Sequence, residues 1–365
     1  MKGALVCRSC SIYCIVPPVV FEQIAKNGNK EQREWAIDTV SRDHSLRAAR
    51  LHNSLVTGAG PIRADALATT DPGKPKRTVY DAKNLEQVTG EVVRAEGGPA
   101  VGDEAADEAF DGLGATYALW YEVYKRDSID DAGLPLDAIV HYGDRYDNAF
   151  WDGQRMVFGD GDGELFNRFT VALDVIGHEL GHGVVETTCN LNYWQQPGAL
   201  NESVADVFGS LVKQYKEGQS AEQADWLIGA GLLTDKVEGT GGNPAALRSM
   251  AAPGTAFDDD VLGKDPQPDH MDKFVQTTQD NGGVHINSGI PNKAFHNVAM
   301  AIGGNAWERA GGIWYSAMRD PRVEATSRFL TFAKATGRAA NRLYGDGSDE
   351  AKKVAGGWKA VGIEI

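Results

Sequence analysis

The stretch that most constrains this chain is Val171-Ala-Leu-Asp-Val-Ile-Gly-His-Glu-Leu-Gly-His-Gly-Val-Val-Glu186, which carries His178-Glu179-Leu180-Gly181-His182. In a helix, residues four apart lie one turn above each other, so both imidazoles can reach one ion while Glu179 sits beside it. Val171, Val175 and Val185 share the histidine face, and Leu173, Ile176, Leu180 and Val184 cover the other side. A helix apolar nearly all round belongs in the interior. Two ordinary core histidines would give the same pattern, so a third ligand has to decide.

A catalytic zinc takes three protein ligands and leaves a fourth position for water. Glu202 stands in Gly198-Ala-Leu-Asn-Glu-Ser-Val-Ala-Asp-Val-Phe-Gly209, twenty positions after His182, enough chain to turn and bring a second helix alongside the first. Asp206 lies one turn beyond Glu202, placed to accept the other ring N–H of a metal-bound histidine. Val204, Val207, Phe208 and Leu211 argue against a solvated helix face. A third stretch, Thr277-Thr-Gln-Asp-Asn-Gly-Gly-Val-His-Ile-Asn-Ser-Gly289, reads as a polar, glycine-rich loop before a helix started by Pro291. His285 in such a loop can reach a cleft. A turn or core histidine fits the same residues.

At 365 residues the chain exceeds one ordinary hydrophobic core, which predicts two lobes and an appended segment. Short β-rich runs (Gly90 to Val93, Ala138 to Tyr142), with one helix from Asp103 to Lys125, fill the part before Leu165. Met156 to Phe158, with its flanking turns, reads as an edge strand. Beyond Leu165 the signals are helical: Gly198 to Tyr215, Asn292 to Ile302, Gly312 to Met318, Ser327 to Tyr344 and Glu350 to Val361. The expected class is α+β, with a segment and linker over 1–65, a strand-rich lobe over 66–170 and a helical lobe over 171–365. A net charge of -15 with no compensating Lys/Arg-rich patch argues against a nucleic-acid partner, and no apolar run is long enough to span a bilayer. Cys7, Cys10 and Cys14 cluster at the start and Cys189 stands alone, so no disulfide framework is implied. The three early thiols read as plain cysteines, ahead of one capping a zinc or all three binding a metal. No ordinary signal peptide is present; the expectation is a precursor made in the cytoplasm, with any export by a non-classical route.

The chain resembles the thermolysin family of zinc metalloendopeptidases, or neutral proteases. The matches are His178-Glu-Leu-Gly-His182, Asn201-Glu-Ser-Val-Ala-Asp206, Asn148-Ala-Phe-Trp151, Leu247-Arg-Ser-Met250 and Asp280-Asn-Gly-Gly-Val-His-Ile-Asn-Ser-Gly289, in the family's order from about Arg77 onward. Cys14-Ile-Val-Pro-Pro18 is similar to the precursor region of the protealysin-like branch, whose propeptide is short. The resemblance implies a two-lobed fold with a cleft between the lobes. It implies His178, His182 and Glu202 as zinc ligands, Glu179 as general base, Tyr193 and His285 as oxyanion donors, and Asp280 as the carboxylate orienting His285. It implies that Arg248 holds a substrate carbonyl and that Asn148 and the Ala149 backbone grip an extended peptide. Phe166, Phe169, Val175, Ile228, Leu232 and Leu247 then wall a pocket suited to Leu, Ile, Val or Phe after the scissile bond.

The family's paired calcium sites use a carboxylate cluster that Asp174 and Asp225 match. Lys213, Leu227 and Ala230 stand where acids are expected. A hard cation needing six to eight oxygens loses most of its ligands there, so calcium is expected absent, with Lys213 paired to Asp174 and Asp225 instead. Asp160 and Asp162, in Gly159-Asp-Gly-Asp-Gly163, read as ordinary turn residues. The expected protein is a monomeric zinc endopeptidase precursor acting on polypeptides. Its propeptide is expected in its own cleft and removed autocatalytically before a leucine such as Leu51, Leu55 or Leu67. The rivals are a zinc aminopeptidase, which would need an acidic anchor for a free amine, and a silent zinc or peptide-binding protein, which would need no general base.

Overall fold

The computed structural model describes residues 13–57, 73–241 and 244–365. Cys7, Cys10 and Leu67 lie outside the described residues; Leu51 and Leu55 fall late in the second helix, where only backbone is described.

The N-terminal segment contributes β1 (Tyr13–Cys14), α1 (Pro18–Asn27) and α2 (Lys30–Thr57). Pro17 and Pro18 mark the passage from strand to helix, because a proline restricts the residue before it to extended backbone while itself fitting the first helical turn. The strand-rich lobe follows with β2 (Arg77–Asp81), β3 (Glu91–Ala95), α3 (Glu104–Ala118), β4 (Leu136–Val140), β5 (Ala149–Trp151) and β6 (Arg155–Phe158). These build a six-stranded sheet of order β1-β5-β6-β4-β2-β3, parallel where β4 meets β2 and β6 and antiparallel elsewhere. β4 reads Leu-Asp-Ala-Ile-Val because a strand between two parallel neighbours is covered on both faces. The edge expected for Met156 to Phe158 is corrected: β6 is interior, with β5 on one side and β4 on the other. Three short strands in that part of the sequence could not reveal their spatial order.

α3 starts where Asp103 accepts a hydrogen bond from the Ala106 N–H at 3.1 Å, and it buries Ala106, Ala109, Phe110, Leu113 and Tyr117 against the sheet. It stops at Ala118 and passes into one π-helical turn, Leu119–Val123, rather than running straight to Lys125. His141, after β4, lies between Asp103 (3.0 Å) and Asp160 (2.9 Å) and so ties the start of α3 to the turn after β6. Hydrogen bonding to Asp160, aided by Asp103 and opposed by partial burial, raises the imidazole to about 9. A folded-state pKa above the unfolded value near 6.5 contributes stability that is complete below about 6.5 and is lost as pH rises through about 9. His141→Gln is therefore expected to lower Tm at pH 6, with the gap to wild type closing by pH 10; thermal melts at both pH values check this. Asp162, in the same turn, spends one carboxylate oxygen on the N–H groups of Glu164, Leu165 and Phe166 at 2.7–2.9 Å.

The helical part comprises α4 (Leu173–Thr188), α5 (Gln195–Glu217), the short pair β7 (Leu227–Ile228) and β8 (Arg248–Ser249), the hairpin β9 (Asp258–Asp259) and β10 (Gly263–Lys264), α6 (Asp280–Asn287), α7 (Gly289–Ile302), α8 (Arg309–Met318), α9 (Phe329–Tyr344) and α10 (Asp349–Lys359). α4 is buried continuously from Asp174 to Glu186, as an all-round apolar helix requires. Val171 is corrected: it lies in a 3-10 turn before α4, 38% exposed, not on the histidine face. α4 and α5 pack at backbone contact, since a Cβ on Gly209 would stand 2.4 Å from the Asp174 carbonyl oxygen and one on Gly177 would stand 3.0 Å from the Gly209 Cα. Only glycine fits where two helices approach that closely. No helix among the described residues is long and apolar enough to cross a membrane.

Candidate active site

α4 and α5 bring His178, His182 and Glu202 together, their candidate ligand atoms within 4.8 Å of one another and all three side chains buried. The protonation of the imidazoles follows from their outer nitrogens. His178 Nδ1 lies 2.7 Å from Asp206 Oδ1, and His182 Nδ1 lies 2.8 Å from Asn201 Oδ1. Both partners accept only, so both Nδ1 atoms carry the proton. The Nε2 atoms then direct lone pairs at each other across 3.0 Å, and Glu202 Oε2 is buried without a hydrogen-bond partner. Burial, reinforced by His178, holds His182 well below the usual imidazole range. Three electron-pair donors facing inward fit a divalent cation of the zinc type, with imidazole and carboxylate ligands.

Around the triad, Asp206 takes His178 Nδ1, Arg248 Nε and a terminal Arg248 nitrogen (both at 2.8 Å) and Asn292 Nδ2 at 2.8 Å. Burial alone would raise this carboxyl, but the charge of Arg248 and the hydrogen bonds from His178 and Arg248 outweigh burial and hold it below the usual range. Glu179 accepts from the Trp151 N–H at 3.0 Å, and its other oxygen, Oε1, has no partner. Burial first, and the nearby Glu202 charge second, push the Glu179 carboxyl well up. Tyr193 donates to Glu202 and lies 3.1 Å from His285 Nε2. His285 Nδ1 meets Asp280 at 2.5 Å; burial opposes its charge, but Glu202 and Asp280 raise its pKa overall. His285 sits in α6 and not in a loop, a correction, because the chain reverses through left-handed backbone at Asn281, Gly282 and Gly283 and then closes helical hydrogen bonds at once. α7 likewise begins at Gly289, two residues before Pro291.

The chain's own N-terminal strand lies over the triad. Tyr13 stacks on the His182 ring, centroids 4.3 Å apart, and meets Tyr193 edge-on. The Cys14 carbonyl oxygen is 3.1 Å from His285 Nε2. The Ile15 N–H donates to the Ala149 carbonyl at 3.2 Å, and its carbonyl accepts from Arg248 at 3.0 Å. The Val16 N–H donates to Asn148 Oδ1 at 3.2 Å. The Cys14 side chain faces away from the triad, as alternation along a strand requires, and packs with Tyr142, Tyr146 and Phe150. A Cys14 thiolate over the metal is therefore ruled out by the strand's register.

Phe166, Phe169, Val175, Ile228, Leu232 and Leu247 are all buried in one cluster, with Phe166 and Phe169 stacked and Phe21 of α1 against Phe166. Behind α4, Lys213 lies 3.3 Å from Asp174 and 2.7 Å from Asp225. Leu227 opens β7 and Ala230 follows Gly229, whose N–H donates to Asp174 at 2.9 Å; neither Leu227 nor Ala230 brings a side-chain oxygen. Asn201, Asn292 and Asp43 were not singled out from the sequence. The position of Asn201 immediately before Glu202 was a readable signal for the first; only tertiary structure places the other two.

Two family models match the chain, the thermolysin metallopeptidase catalytic domain over residues 63–186 and the thermolysin metallopeptidase alpha-helical domain over 189–363. The chain is 48% identical to an extracellular metalloprotease of Pectobacterium carotovorum subsp. carotovorum, over 98% of each protein. It is 46% identical to protease PrtS of a Photorhabdus species, over 96% of this chain and 92% of that one. Among solved structures, the precursor of protealysin, a metalloproteinase from Serratia proteamaculans, superposes with a TM-score of 0.86 at 47% identity, over 96% of this chain and 99% of that one. Similarity that runs the length of the chain and includes a precursor structure places the protein in the thermolysin family of zinc metallopeptidases, in its protealysin-like branch.

Proposed function

We propose that the chain is a self-inhibited endopeptidase precursor in which residues 1–65 form a detachable prosegment with its linker, 66–170 the strand-rich lobe and 171–365 the helical lobe. The observation that carries this reading is the inward-facing trio of His178, His182 and Glu202 beneath a main-chain strand gripped residue by residue. His178, His182 and Glu202 would hold zinc, which when bound supplies a Lewis acid and a water acidified to about pKa 7. Glu179 accepts the proton of the attacking water and passes it to the leaving nitrogen, with its Oε1 free of other partners. Tyr193 and His285 donate to the oxygen that gains charge, and Asp280 keeps the His285 ring turned toward it. A substrate lying as residues 13–16 lie would have its carbonyl taken by Arg248 and its amides by Ala149 and Asn148. The residue after the scissile bond would enter the pocket of Phe166, Phe169, Val175, Ile228, Leu232 and Leu247. Asp206 positions both His178 and Arg248.

The purified chain is expected to cut an internally quenched peptide before Leu, Ile, Val or Phe, and a zinc chelator is expected to stop it. Mass spectrometry of the products reads the bond, and cleavage before acidic residues would sink the specificity. We further propose that Lys213 stands in for paired calcium. Asp174 and Asp225 raise the Lys213 ammonium against the pull of burial, keeping it charged. Lys213→Ala leaves Asp174 buried without its cation and is expected to cost about 1–3 kcal/mol. Calcium should not restore the loss. A wild-type Tm that falls under a calcium-selective chelator would overturn this. The partners proposed are polypeptides and the prosegment, with no nucleic acid and no membrane, and the chain acting as a monomer. The Pectobacterium relative is named extracellular, which supports export, by a non-classical route in this proposal.

A further inference from the structure

Asn148 has polar partners on two sides. Its Oδ1 accepts the Val16 N–H of β1 at 3.2 Å and the Ala149 N–H at 3.1 Å. Its Nδ2 donates to Asp43 Oδ2 on α2 at 3.0 Å. Asp43 is itself buried and also accepts from the Tyr146 hydroxyl, a phenol that burial, with Asp43 beside it, keeps protonated. A side-chain amide is not symmetric: one end only accepts and the other only donates. Turned over, Asn148 would set its NH₂ against the Val16 and Ala149 N–H groups and its oxygen against the Asp43 carboxylate, losing all three bonds and leaving buried groups opposed.

We propose that Asp43 fixes the orientation of the Asn148 amide and so couples helix α2 to strand β1, making the N-terminal segment hold the cleft as one cooperative unit. The idea rests on reading that segment as a removable prosegment. The acceptor that Val16 needs is presented by an amide whose other end Asp43 holds, with the Ala149 N–H steering the same oxygen. Once the segment has gone, no carboxylate from α2 holds Asn148, and the Ala149 N–H is left to steer its amide. An incoming peptide then meets a more loosely held acceptor than the attached segment does. Asp43 thus favours the prosegment over substrates through the Asn148 amide.

Hydrogen exchange on the full chain carrying Glu179→Ala, which is expected to keep its N-terminus, tests the coupling without any turnover. Asp43→Ala is expected to speed exchange of the Val16 amide by about tenfold or more, the worth of a charge-assisted hydrogen bond. Tyr146→Phe, which leaves the Asn148 bond in place, should move it much less. Asp43→Asn keeps the side-chain size but permits either amide orientation, and should give an intermediate rise while α1 and α2 stay protected; it decides the matter if Asp43→Ala unfolds α2. Unchanged Val16 protection in Asp43→Asn with α2 folded would overturn the proposal. In the chain with Glu179 intact, Asp43→Ala should shorten the lag before the N-terminus is lost, as followed by mass spectrometry. Faster Val16 exchange with a permanently retained N-terminus would leave the coupling standing and remove the prosegment reading instead.

Discussion

Glu179→Ala is expected to lower kcat/KM on an internally quenched peptide by about 10²–10⁴-fold, the range a positioned acid–base group contributes. KM should move little, because Glu179 grips no part of the main chain that Arg248, Asn148 and Ala149 hold. No neighbouring carboxylate can take over. Asp206 is saturated by His178, Arg248 and Asn292, Asp280 is committed to His285, and Glu202 belongs to the triad. The same variant should retain its N-terminus through prolonged incubation, while the parent chain sheds it. Residual activity above a tenth of the parent's, with zinc bound, would assign the proton transfer to another group.

Asp206→Ala is expected to be the most destabilising single change near the site. Arg248 is buried and meets Asp206 through two nitrogens, so removing the carboxylate strands a guanidinium in the interior. Breaking a buried pair by deleting one partner costs about 3–5 kcal/mol. The loss of the His178 Nδ1 acceptor frees that ring's orientation, and zinc affinity should fall about 10–100-fold. Urea unfolding and competition with a zinc indicator give the two effects separately. A stability loss under about 1 kcal/mol would mean that Arg248 finds another partner or water, and would remove Asp206 from the positioning role.

What could be read before the structure was what has a short period or a fixed spacing. His178 and His182 four apart on an apolar helix, Glu202 and Asp206 on a second amphipathic one, and the apolar spacing of α3 all depend on local geometry that a chain carries along itself. Helix ends shifted by a few residues where capping and propensity compete, as at Gly289 against Pro291. The interior place of β6 is not readable, because strand order is decided by long-range pairing and strands of three or four residues carry no signal of their neighbours. His285 reads as a loop residue because polar, glycine-rich sequence that turns through positive φ at Asp280, Asn281, Gly282 and Gly283 carries no helical pattern. The Asp43 contact spans 105 positions to Asn148 and leaves no trace in spacing.

The sheet order has one more consequence. β1 is the outermost strand beside β5, so departure of the N-terminal segment bares the edge at Ala149, Phe150 and Trp151. A bare edge accepts only a chain that is extended and has its own N–H and C=O groups unspent. A helix of a folded protein satisfies neither condition, and an inner strand satisfies only the first. The enzyme should therefore sense conformation before sequence: the rate at which it destroys a folded target should track how often that target opens, and ligands that stabilise the target should protect it in proportion.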